Sequence, residues 1–303
     1  MTGKDCVYVG VDWGGTNLKV GLVSKKGEII EEKRFSSQKL KEKTAFLRKM
    51  KEVVTSLGEK RIRGVGIGVP GIVNMQKGFI YYLPNIRGWE NFPLRSALSK
   101  SLGLPVFVDN DANLFALAEG CLGAAKGKER AIILTLGTGL GGAVILGGRV
   151  LHGQNSGVEL GHIPIASKGK KCSCGARGCI ETFVGNRYLS QRYKKMKGVN
   201  QNVEIKEIFS RASQGEREAQ VILQEFAYYL GKFLRGMVNV FNPEIIVLGG
   251  GISGAFRLFE PLVWQVIREE AMWPNLKGLK LVKAKLKNPG IIGAALLVKE
   301  NLG

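Results

Sequence analysis

The two halves of the sequence repeat one order of elements, and this repetition constrains the fold more than any single motif does. Each half begins with short apolar segments joined by tight turns, which predict an antiparallel meander, and continues as alternating helices and strands. In order, the expected elements are strands 6–13, 18–23 and 28–35, helix 39–57, strand 64–69, helix 92–102, strand 106–109 and helix 113–121, then strands 130–136, 143–146 and 148–152, helix 217–240, strand 244–248, helix 256–272, strand 279–284 and helix 291–301.

This repetition predicts an α/β protein of two similar lobes, each with a mixed sheet, and a ligand-binding cleft between them. We expect a smaller N-terminal lobe over 1–113, which the C-terminal helix 290–303 joins. A larger C-terminal lobe is expected over 114–289 and would contain the cysteine cluster.

The chain of 303 residues has 45 Lys and Arg against 25 Asp and Glu, for a formal net charge of +20. Such an excess favours anionic partners: nucleic acid, an anionic membrane surface or a phosphorylated small molecule. Because no helix-turn-helix or aromatic RNA-binding signature accompanies the lysine runs, we expect no nucleic-acid partner. The longest uncharged run, 131–148, is broken by glycines and predicts a buried hairpin, so we expect no membrane association. The polar N-terminus resembles no secretory signal, which predicts a cytoplasmic protein.

Two glycine-rich hairpin turns lie at corresponding places in the two halves, and a third glycine run follows the predicted strand 244–248. They are Asp12-Trp13-Gly14-Gly15-Thr16, Leu136-Gly137-Thr138-Gly139 and Gly249-Gly250-Gly251. Glycines let backbone N–H groups surround a phosphate, and Thr16 and Thr138 would add hydroxyl donors. Asp12 would repel a phosphate directly but can hold a hydrated Mg²⁺ that neutralises it. Each turn alone could be a plain hairpin, but three of them in a duplicated architecture favour phosphate binding.

A polar segment, Asp109-Asn110-Asp111-Ala112-Asn113, lies where a predicted strand ends and a helix begins. One interpretation is a helix N-cap, for which a single Asn or Asp is enough. The other is catalysis, because phosphoryl transfer to a hydroxyl needs a carboxylate that accepts the proton and groups that hold the acceptor. Spacing alone leaves both interpretations open.

Three of the five cysteines, Cys172, Cys174 and Cys179, lie close together, and His162 precedes them. Three thiolates and one imidazole make a closed tetrahedral zinc site, which is typical of a structural rather than a hydrolytic metal. The cluster therefore predicts Zn²⁺ in a reducing compartment instead of a disulfide framework.

Taken together, these residues resemble the ROK family of repressors, open-reading-frame proteins and sugar kinases, over essentially the whole chain. The resemblance implies the actin-like, hexokinase-like fold, which is a duplicated ribonuclease-H-like ATPase fold. It also implies that 12–16 is the first phosphate turn, 136–142 the second, and 248–252 the adenosine side of an ATP site. Trp13 departs from the smaller aliphatic residue of many members, and we expect it to pack beside the first turn.

The resemblance also implies roles at the sugar. Asp111 resembles the general base and Asn110 a sugar-hydroxyl ligand, while Glu159, His162 and Glu181 resemble the other sugar ligands. His162 would bind zinc through one ring nitrogen and offer the other to the sugar, so that the metal supports the sugar pocket. On this basis zinc removal should abolish sugar binding and leave ATP binding largely intact.

The resemblance implies an ATP-dependent hexose kinase that acts at the 6-hydroxyl, with glucose as the expected sugar and a homodimer as the expected assembly. The alternatives are a kinase for N-acetylglucosamine, N-acetylmannosamine, mannose or fructose, or a non-catalytic protein that senses sugar or binds nucleic acid. Repressor members carry a DNA-binding domain before the first phosphate turn. Because 11 residues precede Asp12, we expect that domain to be absent.

Overall fold

A computed structural model describes residues 6–58, 61–84, 86–154, 157–201 and 203–303 of the chain. These residues form two compact units. The first unit comprises Met1–Lys126, Val150–Val158 and Leu286–Gly303, and the second comprises Gly127–Arg149 and Glu159–Lys285.

The first unit contains a five-stranded sheet in the order β3-β2-β1-β4-β7, with a small hairpin of β5 and β6 beside it. Strand β1 pairs antiparallel with β2 and parallel with β4, which makes the sheet mixed. Its elements are β1 (Val7–Trp13), β2 (Asn17–Ser24), β3 (Ile29–Ser36), α1 (Lys43–Ser56), β4 (Ile62–Val69), β5 (Ile72–Asn74), β6 (Phe79–Tyr82), α2 (Leu94–Leu102), β7 (Val106–Asn110), α3 (Asp111–Cys121) and α9 (Pro289–Leu302).

The second unit contains a five-stranded sheet in the order β10-β9-β8-β11-β12, which is the order of the first sheet once more. Again one strand, β8, pairs antiparallel with its hairpin partner β9 and parallel with β11. Its elements are β8 (Arg130–Leu136), β9 (Leu140–Leu146), β10 (Arg149–Val150), α4 (Glu181–Val184), α5 (Asn186–Lys197), α6 (Ile205–Ser213), α7 (Arg217–Phe241), β11 (Ile245–Gly249), α8 (Phe256–Glu270) and β12 (Lys280–Lys283). The duplicated α/β topology predicted from the sequence is confirmed.

The units divide the chain near residue 126, further along than the boundary at 113 that the sequence suggests. Helix α3 stays with the first unit because it packs against α9, through a buried cluster of Ala118, Ile292 and Leu296. The chain also returns to the first unit over Val150–Val158, and the sequence pattern contains no signal for this return.

Helix α9 lies directly on β1 and β4 in the first unit. A Cβ atom on Gly10 would lie 2.0 Å from the carbonyl oxygen of Ile291, and one on Gly66 would lie 1.8 Å from that of Ala294. Such distances leave no room for any side chain, so these two glycines set how closely the helix approaches the sheet.

The first glycine turn begins at a buried aromatic cluster. Trp13, the last residue of β1, is fully buried and stacks on Phe46 with ring centroids 4.2 Å apart. The ring of Trp89 meets Trp13 edge-on at 4.7 Å. These contacts fix the end of β1, from which the turn departs.

Among the helices in the described part of the chain, none combines the length and the apolar composition that a membrane span requires.

Candidate functional site

The first glycine turn, Gly14–Thr16, joins β1 to β2 and is held at both ends. The N–H of Gly14 donates to the carbonyl oxygen of Asn17 (2.9 Å), and the hydroxyl of Ser37 donates to that of Gly14 (2.7 Å). A Cβ atom on Gly15 would meet nothing within 4 Å, and Thr16 is exposed. The turn thus presents open backbone and a hydroxyl, as anion binding requires.

Asp12 lies just before this turn and is paired with a cation that the sequence reasoning missed. Its Oδ2 is 3.2 Å from Nζ of Lys19, which faces it across the β1–β2 ladder. The start of α9 is close as well, since a Cβ on Gly290 would lie 2.6 Å from Cγ of Asp12. Because the carboxylate already has a lysine partner, it suits contact with a cation through water better than direct coordination.

Asn110 is the N-cap of α3, as one of the two sequence interpretations proposed. Its Oδ1 accepts the N–H groups of Ala112 (2.8 Å) and Asn113 (3.4 Å). Its Nδ2 donates to the carbonyl oxygen of Gly71 (3.2 Å). Asp111 follows as the first residue of α3 and is half-buried, with Oδ1 accepting the N–H of Ala112 (2.9 Å). The cap fixes the backbone that carries the Asp111 carboxylate.

The buried carboxylate of Asp109 is the centre of this segment. Its Oδ1 accepts the backbone N–H of Asn110 (2.6 Å) and the side-chain amide of Asn113 (2.9 Å). Its Oδ2 lies 3.0 Å from Nε2 of His152. Burial lowers the pKa of His152, but the hydrogen bond and charge of Asp109 outweigh it, so that the pKa is raised overall. No spacing in the sequence links Asp109 to His152, although His152 is one of only two histidines in the chain.

The second and third glycine turns meet in the second unit. Gly249 ends β11 and pairs with Thr135 of β8. Gly250 has a φ of +79°, and a Cβ there would lie 2.4 Å from the carbonyl oxygen of Leu136. Only glycine fits both that conformation and that gap. In the second turn, a Cβ on Gly137 would meet nothing within 4 Å, and Thr138 is exposed.

A basic cavity of about 660 Å³ adjoins the segment that follows the third turn. Its lining includes Lys206 of α6, Arg257 of α8 and Lys283 at the end of β12. Within the described part of the chain, none of these three cations has a carboxylate partner within salt-bridge distance. The cavity therefore attracts anions, and the sequence reasoning assigned none of the three to a site.

The predicted metal ligands come together in the second unit. The ligand atoms of His162, Cys172, Cys174 and Cys179 all lie within 4.8 Å of one another. Nδ1 of His162 is 3.4 Å from Sγ of Cys172, and the sulfurs of Cys174 and Cys179 are 3.7 Å apart. A tetrahedral zinc with ordinary bond lengths separates two sulfurs by about 3.8 Å and a sulfur from a nitrogen by about 3.6 Å. The residues fit zinc.

The pKa values of the three thiols diverge, as expected for close neighbours that compete for negative charge: those of Cys172 and Cys179 are raised, and in spite of burial, hydrogen bonds lower that of Cys174. Burial raises the pKa of Cys179 to about 12, and the neighbouring thiols of Cys174 and Cys172 add to the effect. Burial likewise raises the pKa of Cys172. Three thiolates this close repel one another unless a cation compensates them, and a bound zinc ion deprotonates its thiol ligands.

The two acidic residues predicted as sugar ligands in this unit, Glu159 and Glu181, differ in their contacts. Desolvation raises the pKa of Glu159, His162 opposes the shift and Glu181 adds to it. Glu181 is the first residue of α4, and its Oε2 accepts the N–H of Leu140 (3.2 Å). Glu159 thus lies close enough to His162 and Glu181 for both to influence its charge.

The two units share one mixed sheet order, with glycine turns after β1, β8 and β11, and the second unit adds a His-Cys₃ cluster. This arrangement defines a protein of the duplicated actin-like class. The chain belongs to the ROK family, whose sequence model matches residues 8–301.

Relatives of this chain include enzymes and a regulator. The sequence is 36% identical over 312 residues to a glucokinase of Thermotoga maritima, covering 97% of this chain and 98% of that protein. It is 31% identical over 304 residues to a xylose repressor of Caldicellulosiruptor bescii, covering 94% of this chain and 75% of the repressor. The structure is similar to a ROK family glucokinase from Streptomyces griseus in complex with glucose and AMPPNP, with a TM-score of 0.84, 29% identity and coverage of 97% and 99%.

Proposed function

We propose that the chain is an ATP-dependent sugar kinase that phosphorylates glucose at its 6-hydroxyl. The observation that carries the proposal is the Asp111 carboxylate, which begins α3 on a backbone fixed by the Asn110 cap and the Asp109 network. A protein that only senses sugar needs no proton acceptor of this kind. The similarity to glucokinases, one of them holding glucose and a nucleotide analogue, supports the same assignment.

In this reaction Asp111 accepts the proton of the sugar hydroxyl as that oxygen attacks the γ-phosphorus of ATP. The bond from that phosphorus to the oxygen that bridges it to the β-phosphate breaks, and ADP leaves. The sugar is held by Asn110, Glu159, His162 and Glu181. For Asn110, whose Oδ1 caps α3, the side-chain amide is the group that would meet a sugar oxygen.

The nucleotide phosphates are bound by the backbone and hydroxyls of the turns, through Gly14, Gly15, Thr16, Gly137, Thr138 and Gly139, with Gly249, Gly250 and Gly251 on the adenosine side. Mg²⁺, when bound, neutralises phosphate charge, and Asp12 would hold it through water. The cations that line the basic cavity beside the third turn would attract the anionic nucleotide, and they account for part of the net charge of +20.

Zn²⁺ has a structural role in the proposal, held by His162, Cys172, Cys174 and Cys179. We also propose a homodimer. Support comes from exposed apolar side chains in the second unit, Val240, Met272 and Trp273, which are 71%, 64% and 78% exposed. The backbone N–H of Met272 donates to Oδ1 of Asn239, the residue before Val240, so the two segments lie together. Light scattering of the parent and of Trp273→Asp tests this, with a monomer expected for the variant.

The test of the function is a coupled ADP-release assay over glucose, N-acetylglucosamine, N-acetylmannosamine, mannose and fructose. Glucose should give the highest kcat/KM, and Asp111→Asn should show only residual turnover. A higher kcat/KM for another sugar would correct the substrate and keep the class. No ADP release with any of these sugars, combined with a salt-dependent DNA gel shift that responds to sugar, would favour a regulator.

A further inference from the structure

The carboxylate of Glu181 lies between two parts of the second unit that the sequence separates. One is the second glycine turn, Gly137–Gly139; the other is the metal loop, residues 162–179. Oε2 of Glu181 accepts the N–H of Leu140, immediately after the turn (3.2 Å). Oε1 accepts the hydroxyl of Ser173, between two of the cysteines (3.4 Å). One side chain thus joins the turn to the loop.

Gly139 provides the space for this contact. A Cβ atom on Gly139 would lie 2.1 Å from Oε2 of Glu181, so any side chain there would push the carboxylate away from Leu140. Gly137, two residues earlier in the same turn, has nothing within 4 Å of an added Cβ. Neither glycine has a positive φ, so alanine at either position brings no backbone strain. An added methyl group would therefore meet the Glu181 carboxylate at position 139 and open space at position 137.

The backbone that carries Glu181 starts between two metal ligands. The N–H of Ile180 donates to the carbonyl oxygen of Ile163, the residue after His162 (2.9 Å). Cys179 directly precedes Ile180 in the chain. A metal bound to His162 and Cys179 therefore fixes both strands of backbone from which Glu181 extends.

The turn has further bonds to the same region. The N–H of Asn186 donates to the carbonyl oxygen of Gly137 (2.9 Å), and the N–H of Arg187 donates to that of Thr138 (3.2 Å). Both amides belong to the first turn of α5, which follows α4 without a spacer other than Gly185. The shape of the glycine turn therefore depends on the start of α4 and α5.

We propose that Glu181 is a positioning residue that transmits the order of the metal loop to the second glycine turn, so that zinc occupancy controls the affinity for nucleotide phosphates. Without the metal, the loop loses the cross-link among its four ligands. Glu181 then loses its fixed place, and the Leu140 amide and the turn lose a charge-assisted hydrogen bond. The sequence predicted that zinc removal would spare ATP binding; this geometry predicts the opposite. The nucleotide part of the inference rests on the proposed function.

The first experiment measures hydrogen exchange at the amide of Leu140 in the zinc-loaded and chelator-treated protein. A charge-assisted hydrogen bond protects its amide by at least about tenfold, and zinc removal should release that protection. Gly139→Ala, with zinc bound, should show the fast exchange already, whereas Gly137→Ala should remain protected until zinc is removed. Equal exchange with and without zinc, or a protected Leu140 in Gly139→Ala, would overturn the link. If the chelated protein aggregates, the comparison of zinc-loaded Gly139→Ala with zinc-loaded Gly137→Ala tests the contact between Glu181 and Leu140 by itself.

The second experiment measures AMPPNP binding by calorimetry in the same samples. The ratio of Kd without zinc to Kd with zinc should be about tenfold or more in the parent and in Gly137→Ala. In Gly139→Ala that ratio should fall to near one, whatever the absolute affinity. A ratio near one in the parent would overturn the control of nucleotide affinity. If no form binds the nucleotide, the proposed function fails, and hydrogen exchange at Leu140 still decides whether Glu181 joins loop and turn.

Discussion

Replacing His152 with leucine should destabilise the protein by about 2 kcal/mol at pH 6, because it leaves a buried carboxylate without its charged partner. The Asp109 side chain is only 3% exposed, and its bond to His152 is 3.0 Å long. Removing one member of a fully buried pair costs about 3–5 kcal/mol. His152 is 31% exposed, so solvent weakens the pair, and the amides of Asn110 and Asn113 still bind Asp109. These two effects reduce the expected cost to about 2 kcal/mol.

The effect should depend on pH in a defined direction. The pKa of His152 is raised above its ordinary 6.5 by Asp109, in spite of burial. A raised pKa means that the folded state binds the proton more tightly than the unfolded state does. The stabilisation by the charged ring is therefore complete below about pH 6.5 and is lost as the pH rises through the raised pKa. The difference between parent and His152→Leu should shrink between pH 6 and pH 9.

Urea unfolding followed by circular dichroism at both pH values gives the measurement. His152→Gln is the matched variant, because an amide can still donate to Asp109 but cannot carry the charge. It should lose about 1 kcal/mol at pH 6 and almost nothing at pH 9. A gap between parent and glutamine variant that stays constant or grows with pH would refute the charged pair.

Four further outcomes follow from the site and the packing. Asp111→Asn should lower kcat by about 10² to 10⁴-fold while calorimetry finds sugar binding retained. Thr138→Val should weaken AMPPNP binding by about tenfold because a hydroxyl donor to a phosphate is lost, with sugar affinity in the absence of nucleotide unchanged. Gly66→Ala should cost about 3 kcal/mol or prevent folding, whereas Gly236→Ala, with open space around the added methyl, should stabilise α7 by up to about 1 kcal/mol in thermal unfolding. Metal analysis should find about one zinc per chain, and Cys172→Ser should reduce it below half.

The duplicated sheets and the metal cluster could be predicted because their signals are local. Strand β8 runs over Arg130–Leu136, the residues that the apolar run marks. The predicted meander of three strands is present in both sheets, as β3-β2-β1 and as β10-β9-β8. The three cysteines lie within eight positions of one another, so chain geometry alone brings them together. His162 is farther away, but it is one of only two histidines.

Other elements were missed where charge hides the apolar pattern. Helix α5, Asn186–Lys197, ends in several lysines, and it lies in a part of the chain for which the sequence predicted no element. It nevertheless buries Leu189 and Tyr193 on one face, because long basic side chains leave room for a narrow apolar stripe. Helix α6 was missed as well. Helix α1 begins at Lys43 rather than at residue 39, since a 3₁₀ turn over Ser37–Leu40 precedes it.

Asn110 shows why residue type alone could not decide between structure and function. A polar segment at a strand end suits both a helix cap and a binding site, and here the cap uses the Oδ1 of Asn110 while its amide donates to Gly71. The same bonds hold Asp111 at the first position of α3. Capping and catalysis are therefore not competing interpretations of this segment, because the cap is what places the carboxylate.

The glycine turns lead to the same conclusion from the opposite direction. A sequence marks Gly137 and Gly139 alike, as residues that make space, and phosphate binding is the natural interpretation for both. The structure separates them: the space beside Gly137 is open, whereas the space beside Gly139 is filled by the carboxylate of Glu181. A missing side chain makes room without specifying its occupant, and the occupant here lies 42 residues away in the chain. Substitutions at Gly139 therefore report on Glu181 and the metal loop as much as on a nucleotide, and only the comparison with Gly137 isolates the phosphate contribution.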